Sequence, residues 1–309
     1  MKNILKAMVF AGAAIAIGVP SAYAGPVVID GTDANDHGYS SGSQNFQGWL
    51  YMQKVLENLA PQVGNGNKTI VSLGTDPFTT ADDAINSAFS KSNLIGAGWN
   101  IQNINGVSDI TSFLTGNSVG GISLAGTGIL YIPTAGNSFG DLSDSELGVI
   151  NNNGNAIANF VGGNGNPING GGLFAMGESP SFGVTPYGWL TSLIPTISVV
   201  DAGGGGVGTP LGLTADGQAA FPGLTNADLS SGPWHNSFTG NFGSLKVLAE
   251  ETVGNKRLVI LGGGAGTTIT PTSVPEPAST LGLLAFGAMG ATSALKRKKG
   301  HNTQDNNLN

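Results

Sequence analysis

From Pro26 to Gly264, short apolar runs alternate with longer stretches in which apolar residues recur every three or four positions. The runs "PVVID" (26–30), "KTIVSLG" (68–74), "GILYIPT" (128–134), "GGLFAMGES" (171–179) and "TISVVDAG" (196–203) predict strands, with "LKVLAEE" and "KRLVILGGG" as a final pair and "NIQNIN" (100–105) as a shorter one. Between them, "GWLYMQKVLENLA" places Leu50, Val55, Leu56 and Leu59 at helical spacing and stops at Pro61. "TADDAINSAFSKS" sets Ile85, Ala88 and Phe89 on one helical face, and "SDITSFLTG" predicts a short helix capped by Ser108 or Asp109. The longest helical pattern is "SDSELGVINNNGNAIANFVGG", where Ser143 and Glu146 have capping-box spacing.

Apolar strands alternating with amphipathic helices predict an α/β domain with a mostly parallel sheet covered on both faces, a flavodoxin-like three-layer arrangement. An all-β surface domain is the alternative, favoured by the abundant glycine and by Asn-Gly turns such as those at Gly154 and Gly163–Gly165. No fixed-period repeat stands out.

The two ends read differently from this body. Lys2 and Lys6, the apolar "AMVFAGAAIAIGV" and the small residues Ala22 and Ala24 form an export-signal pattern over 1–24. The pattern implies a translocon and a signal peptidase as partners. The body is expected to span 25–270, and a Pro-rich linker with Pro275, Glu276 and Pro277 spans 271–279. An uncharged apolar segment, Thr280–Leu295, is followed by Lys296, Arg297, Lys298 and Lys299; together they fill 280–299, ahead of a polar extension at 300–309. The segment is shorter than the ~20 residues of an ideal membrane span, and the basic cluster would hold its end on the cytoplasmic side.

In order, Pro-Glu-Pro, a small-residue apolar helix and a basic terminus resemble the PEP-CTERM sorting signal of Gram-negative bacteria. The resemblance implies a transmembrane sorting helix recognised and processed by a membrane enzyme of the exosortase type. The chain would pass the inner membrane transiently and reach the cell envelope, the extracellular matrix or the outside. Pro275 and Pro277 keep the segment extended and out of any sheet, where such an enzyme can reach it.

Composition narrows the partners. The body holds six basic residues against seventeen Asp and Glu, so nothing would neutralise phosphates and nucleic acid is an unsuited partner. Cysteine is absent, which excludes thiol nucleophiles and cysteine metal sites.

The order of elements resembles the class I glutamine-amidotransferase-like group, including its trehalose-utilisation-type relatives. "VVIDGTDANDHG" opens the domain, "GILYIPT" precedes the long helix, "GGLFAMGES" stands at the sharp strand-to-helix turn, and "GPWHNSFTGNFGSLKVLAEE" comes late. Where that group carries its cysteine this chain reads Gly177, Glu178, Ser179, which rules out glutaminase chemistry by that route.

Ligands of parallel α/β sheets meet the carboxyl ends of the strands. The first such loop gathers Asp30, Asp33, Asp36 and His37, oxygen ligands and an imidazole that could hold Ca²⁺ or Mg²⁺, or aspartates that cap turns. At the second, Glu178 and Ser179 stand at an elbow position without the Gly-x-Ser-x-Gly pattern. Ser179 with His235, oriented by Asp201 or Asp228, is one arrangement; Glu178 as a helix cap and His235 packed beside Trp234 is the other. Trp49, Trp99, Tyr187, Trp189 and Trp234 offer ring faces for a carbohydrate, or are packing residues. "DAGGGGVGTP" (201–210) lacks both phosphate-loop spacings and reads as a plain loop. The expectation for the body is a binding or interaction role, with a secreted hydrolase-like enzyme as the alternative.

Overall fold

A computed structural model of the chain describes residues 25–136, 139–162, 170–177, 185–201 and 209–264. The chain divides into two units, Met1–Thr268 and Ile269–Asn309, and all the described residues belong to the first. The predicted signal segment and the whole predicted sorting tail lie outside the described residues. Among those that are described, no helix is long and apolar enough to cross a membrane.

The elements follow in the order β1 Pro26–Asp30, β2 Gly38–Ser41, β3 Gln44–Gln47, α1 Gly48–Leu59, β4 Thr69–Leu73, α2 Thr80–Ser90, β5 Asn100–Ile104 and α3 Val107–Leu114. Next come β6 Ile129–Ile132, α4 Asp144–Asn152, α5 Gly154–Val161, β7 Gly172–Met176, α6 Leu190–Leu193 and β8 Ile197–Asp201. The described part closes with β9 Leu211–Leu213, α7 Ala215–Ala220, α8 Asn226–Leu229, β10 Asn236–Gly240, β11 Lys246–Glu251 and β12 Leu258–Gly264.

Ten strands form one sheet, and a separate hairpin pairs β2 with β3. Parallel pairing runs through β5-β4-β6-β7-β1. Beyond β1 the pairing turns antiparallel: β12 lies against β1, then β10 and β8, with β11 and β9 branching from β12. The predicted α/β class holds. The strand order departs from the flavodoxin-like 2-1-3-4-5. β1 stands at the far side of the parallel set, against β7, and the C-terminal strands extend the sheet from its other edge.

Alternation along the buried strands builds two cores. Val28, Ile70, Tyr131 and Phe174 face α1 and α2, where Met52, Leu56 and Ile85 meet them. Val27, Ile29, Val71, Leu130 and Leu173 face the opposite way, toward Phe113, Ile150, Phe160 and Trp189. Three layers result, as the pattern predicts.

Local chemistry adjusts the predicted helices. α3 starts at Gly106 (φ 88°) with no side-chain cap, so Ser108 and Asp109 do not serve as caps; the Gly106 N–H instead donates to Glu146 Oε1 at 2.8 Å. The long helix expected from Ser143 onward breaks at Asn153 into α4 and α5. A Cβ on Gly154 would stand 2.9 Å from the Trp189 carbonyl oxygen, so the chain bends where glycine admits that approach. The capping box forms as predicted: Glu146 N–H donates to Ser143 Oγ at 3.4 Å, and the Ser143 N–H donates to Glu146 Oε2 at 2.9 Å. Ser143→Ala is expected to lower stability by about 1 kcal/mol, read as a drop in denaturant midpoint at unchanged slope.

Candidate functional site

The strands β1, β6 and β7 end at one pole, and their carboxyl ends carry the densest group of buried polar side chains. Asp30, the last residue of β1, is fully buried. Its carboxyl accepts from the Thr32 N–H and from Thr32 Oγ1, both at 2.8 Å. Burial outweighs these bonds and pushes the group up to about 7, with the Asp33 charge adding to the rise. The Tyr51 hydroxyl of α1 approaches the same carboxyl but makes no hydrogen bond of ordinary geometry; burial, then the Asp30 charge, drives its pKa well up.

Tyr187 clamps the joint between β1 and β7. Its hydroxyl donates to the Asp30 carbonyl at 2.5 Å, accepts from the Asp30 N–H at 3.1 Å, and lies 3.1 Å from the Ala175 carbonyl.

Asp33 draws together residues two hundred positions apart. Its Oδ2 lies 3.0 Å from His235 Nε2 and 3.2 Å from His37 Nε2. Burial alone would raise this carboxyl, but the hydrogen bonds from His235 and His37, together with their charges, bring it below the ordinary aspartate value. Asp33 Oδ1 has no hydrogen-bond partner. The chain holds His235 there through its own backbone: the His235 and Asn236 N–H groups both donate to the Gly31 carbonyl, at 2.7 and 3.1 Å.

Asn236 is wholly buried, and neither its Oδ1 nor its Nδ2 is hydrogen-bonded. Its Oδ1 stands 2.7 Å from where a Cβ on Gly177 would be, so the amide lies at the carboxyl end of β7. A cavity of about 10 Å³, the space of a single water, lies among Thr32, Asp33, His37 and Tyr51. A second polar group, Asn35, Thr134 and Asp141, joins the loops after β1 and β6.

Several predicted site residues are placed differently from the expectation. Asp33, Asp36 and His37 share the loop that follows Asp30 at the end of β1, but Asp30 turns to Thr32 while Asp33 turns to the histidines. Among the described residues, no group of three or more His, Asp or Glu is arranged to hold a metal ion. Asp228 does not orient His235: it closes a capping box with Thr225 at the start of α8, and Asp33 holds the imidazole in its place. Glu178 and Ser179 lie outside the described residues. The five aromatic residues offered for carbohydrate stacking are all buried, from Trp189 at 1 % exposure to Trp49 at 9 %, so they are packing residues. Trp234 packs under the Arg257 guanidinium, 5.2 Å from its ring centre.

Asn35, Tyr51, Thr134, Asp141 and Asn236 were not singled out from the sequence. Each lies on or beside an element ending at this pole, and position in the topology is the signal that could have found them. A cleft of about 570 Å³ among Ala60, Asn67, Leu94 and Trp99 opens at the amino ends of β4 and β5. Its charged residues already have partners: Glu57 pairs with Lys54, and Lys68 donates to the Ala97 carbonyl on the wall of the same cleft. The chemistry therefore points to the carboxyl pole.

No curated protein and no solved structure matches the chain, so the amidotransferase-like resemblance of the body rests on sequence alone. Residues 273–298 match the PEP-CTERM protein-sorting motif, a stretch that contains Pro275, Glu276, Pro277 and the first three residues of the basic cluster. The chain therefore carries the mark of an exported, envelope-directed protein sorted by an exosortase.

Proposed function

We propose that the α/β body is a binding module for a small polar ligand, displayed in the cell envelope or extracellular matrix once residues 1–24 and the tail from 271 onward have served transport. One observation carries the reading. Asn236 has a donor and an acceptor sealed from water with nothing bonded to either, at the end of a parallel strand where such sheets take ligands. A ligand or water that completes both bonds would repay the loss of hydration.

Thermal melts of the secreted protein against a panel of monosaccharides, amino acids, Mg²⁺ and Ca²⁺ test it. A saturable rise in melting temperature is expected for one class, absent from Asn236→Leu. That variant should melt no lower than the parent without ligand, because it removes unsatisfied polar atoms rather than a bond. A flat response to every class would overturn the binding reading.

A second reading, a secreted hydrolase-like enzyme of the amidotransferase-like fold, is favoured by the Asp33–His235 contact. A buried carboxylate that orients an imidazole is what a general base requires, and Ser179 follows Gly177 by two residues. Turnover of ester, peptide or glycoside substrates that disappears in both Ser179→Ala and His235→Gln would establish it.

A further inference from the structure

Phe78, in the loop between β4 and α2, is 97 % exposed, and its backbone sits in the left-handed region at φ 64°. The loop that carries it is braced. The Phe78 N–H donates to Asp82 Oδ2 at 3.2 Å, Thr79 Oγ1 donates to the Asp76 carbonyl, and the Asp76 N–H donates to the Gly140 carbonyl at 2.7 Å. The loops after β5 and β6 touch this one: Asn105 Nδ2 donates to Asp76 Oδ1 at 2.6 Å, and the Ala81 N–H to the Phe139 carbonyl at 3.2 Å. They add Val107 and Phe139, 44 % and 51 % exposed, to the same end of the molecule. A strained ring held open to water contributes nothing to this fold, so its use lies outside the chain.

The cleft of about 570 Å³ lies at the other end of the same β4–α2 unit, with Ala60, Val63, Leu94 and Trp99 on its walls and room for a benzyl group. α2, with 11 residues and a length of about 16 Å, runs from one end to the other. The two ends are opposite in charge. Asp76, Asp82 and Asp83 lie beside Phe78, and the first two accept from uncharged N–H groups. Lys68 and Lys91 stand at the cleft end, where each donates to an uncharged oxygen, of Ala97 and of Ser87, which leaves its charge unneutralised by that bond.

We infer that Phe78 of one copy enters the Leu94–Trp99 cleft of the next, so that the bodies join head to tail. The aspartates around the ring then meet the lysines at the cleft, which fixes the orientation of the contact and speeds encounter. Knob and cleft are different surfaces at opposite ends, so every copy keeps one of each to offer. Such a heterologous contact propagates into a ring or a filament. A lipid surface fits the same end less well, because the carboxylates beside Phe78 would oppose anionic headgroups.

Analytical ultracentrifugation of the full secreted chain tests this. A contact with one aromatic anchor lies at the weak end of protein interfaces, so species larger than the monomer are expected at on the order of 0.1–1 mM protein. Added salt should shrink them. Phe78→Gly removes the ring and the strain together; it should sediment as a monomer while melting no lower than the parent. Gly96 lines the cleft and has room for a side chain, so Gly96→Glu should block entry, set a carboxylate against the incoming aspartates and be monomeric too. Mixed one to one, the two variants hold one intact knob and one intact cleft between them, and should form a two-chain species and nothing larger. A parent that stays monomeric over this range overturns the inference, including one whose Phe78 takes lipid vesicles or glycans instead. So does assembly that survives in Phe78→Gly, a result that decides the matter alone if Gly96→Glu shows no cooperative melt. With both variants folded, a mixture that remains monomeric overturns it as well.

Discussion

Folding stability of the body is expected to fall by on the order of 4 kcal/mol as pH rises from about 4 to about 7, and to level off above. Asp30 sets this slope. Each tenfold change in proton affinity is worth ~1.4 kcal/mol, and its carboxyl climbs from the ordinary 3.8 to about 7 on folding. Between those two values the folded chain keeps a proton that the unfolded chain has released. Folding is then linked to proton uptake, and raising the pH opposes it.

Asp33 acts in the opposite sense and at lower pH. Its carboxyl is depressed by the two histidines, so its contribution is present above the unfolded value of 3.8 and is lost as pH falls through the folded one. The two aspartates, three positions apart, therefore bracket a stability maximum on the acid side of neutral. Urea titrations at a series of pH values measure the curve directly. In Asp30→Asn the decline toward neutral pH should vanish, because the amide retains an acceptor for the Thr32 N–H and has no charge to bury. A parent protein with the same stability at pH 5 and pH 8 would contradict the assignment.

The layers were legible in the sequence because they depend on local periodicity. Val27, Val28 and Ile29, or Leu130 and Tyr131, read as doubly buried strands before any partner is known, and the Ser143–Glu146 box marks a helix start by itself. What the sequence hides is whatever depends on long-range pairing. β10, "NSFTG", is no more apolar than a loop and becomes a strand only by lying between β8 and β12. "GYSS" and "QNFQ" pair through a turn at Gly42 with Tyr39 stacked on Phe46, and neither stretch is hydrophobic.

The site divides along the same line. Asp30, Asp33 and His37 stand out as a cluster at the end of β1 and in the loop after it, whereas the partner of His235 could not be read from spacing. Asp201 and Asp228 are nearer in sequence, but β1 and β10 converge on β12 and bring Asp33 to it instead. Trp189 and Trp234 looked available to a ligand because a sequence does not show which side of a loop packs inward.

That convergence passes through a single residue, and Gly31→Ala is the substitution expected to do most damage. A Cβ at position 31 would stand 1.8 Å from the Asn236 carbonyl oxygen, a backbone atom that cannot rotate aside. The neighbourhood has no slack: the Gly31 N–H donates to the Val259 carbonyl at 2.9 Å, while its own carbonyl accepts from both His235 and Asn236. Relief would require the start of β10 to part from Gly31, which separates Asp33 from His235 and strips the backbone of the two hydrogen bonds that His235 and Asn236 give to the Gly31 carbonyl. Overpacking costs ~1–3 kcal/mol where side chains can shift, and here the obstruction is main chain, so a loss of roughly 3 kcal/mol or more is expected. Gly66→Ala is the matching control, because Gly66 has open space around it and only its φ of 76° resists a side chain, a cost of about 1 kcal/mol. Denaturant midpoints of the two variants should therefore differ widely. Equal, small losses would mean that the β1–β10 joint yields, and that the Asp33–His235 contact does not depend on a rigid backbone at Gly31.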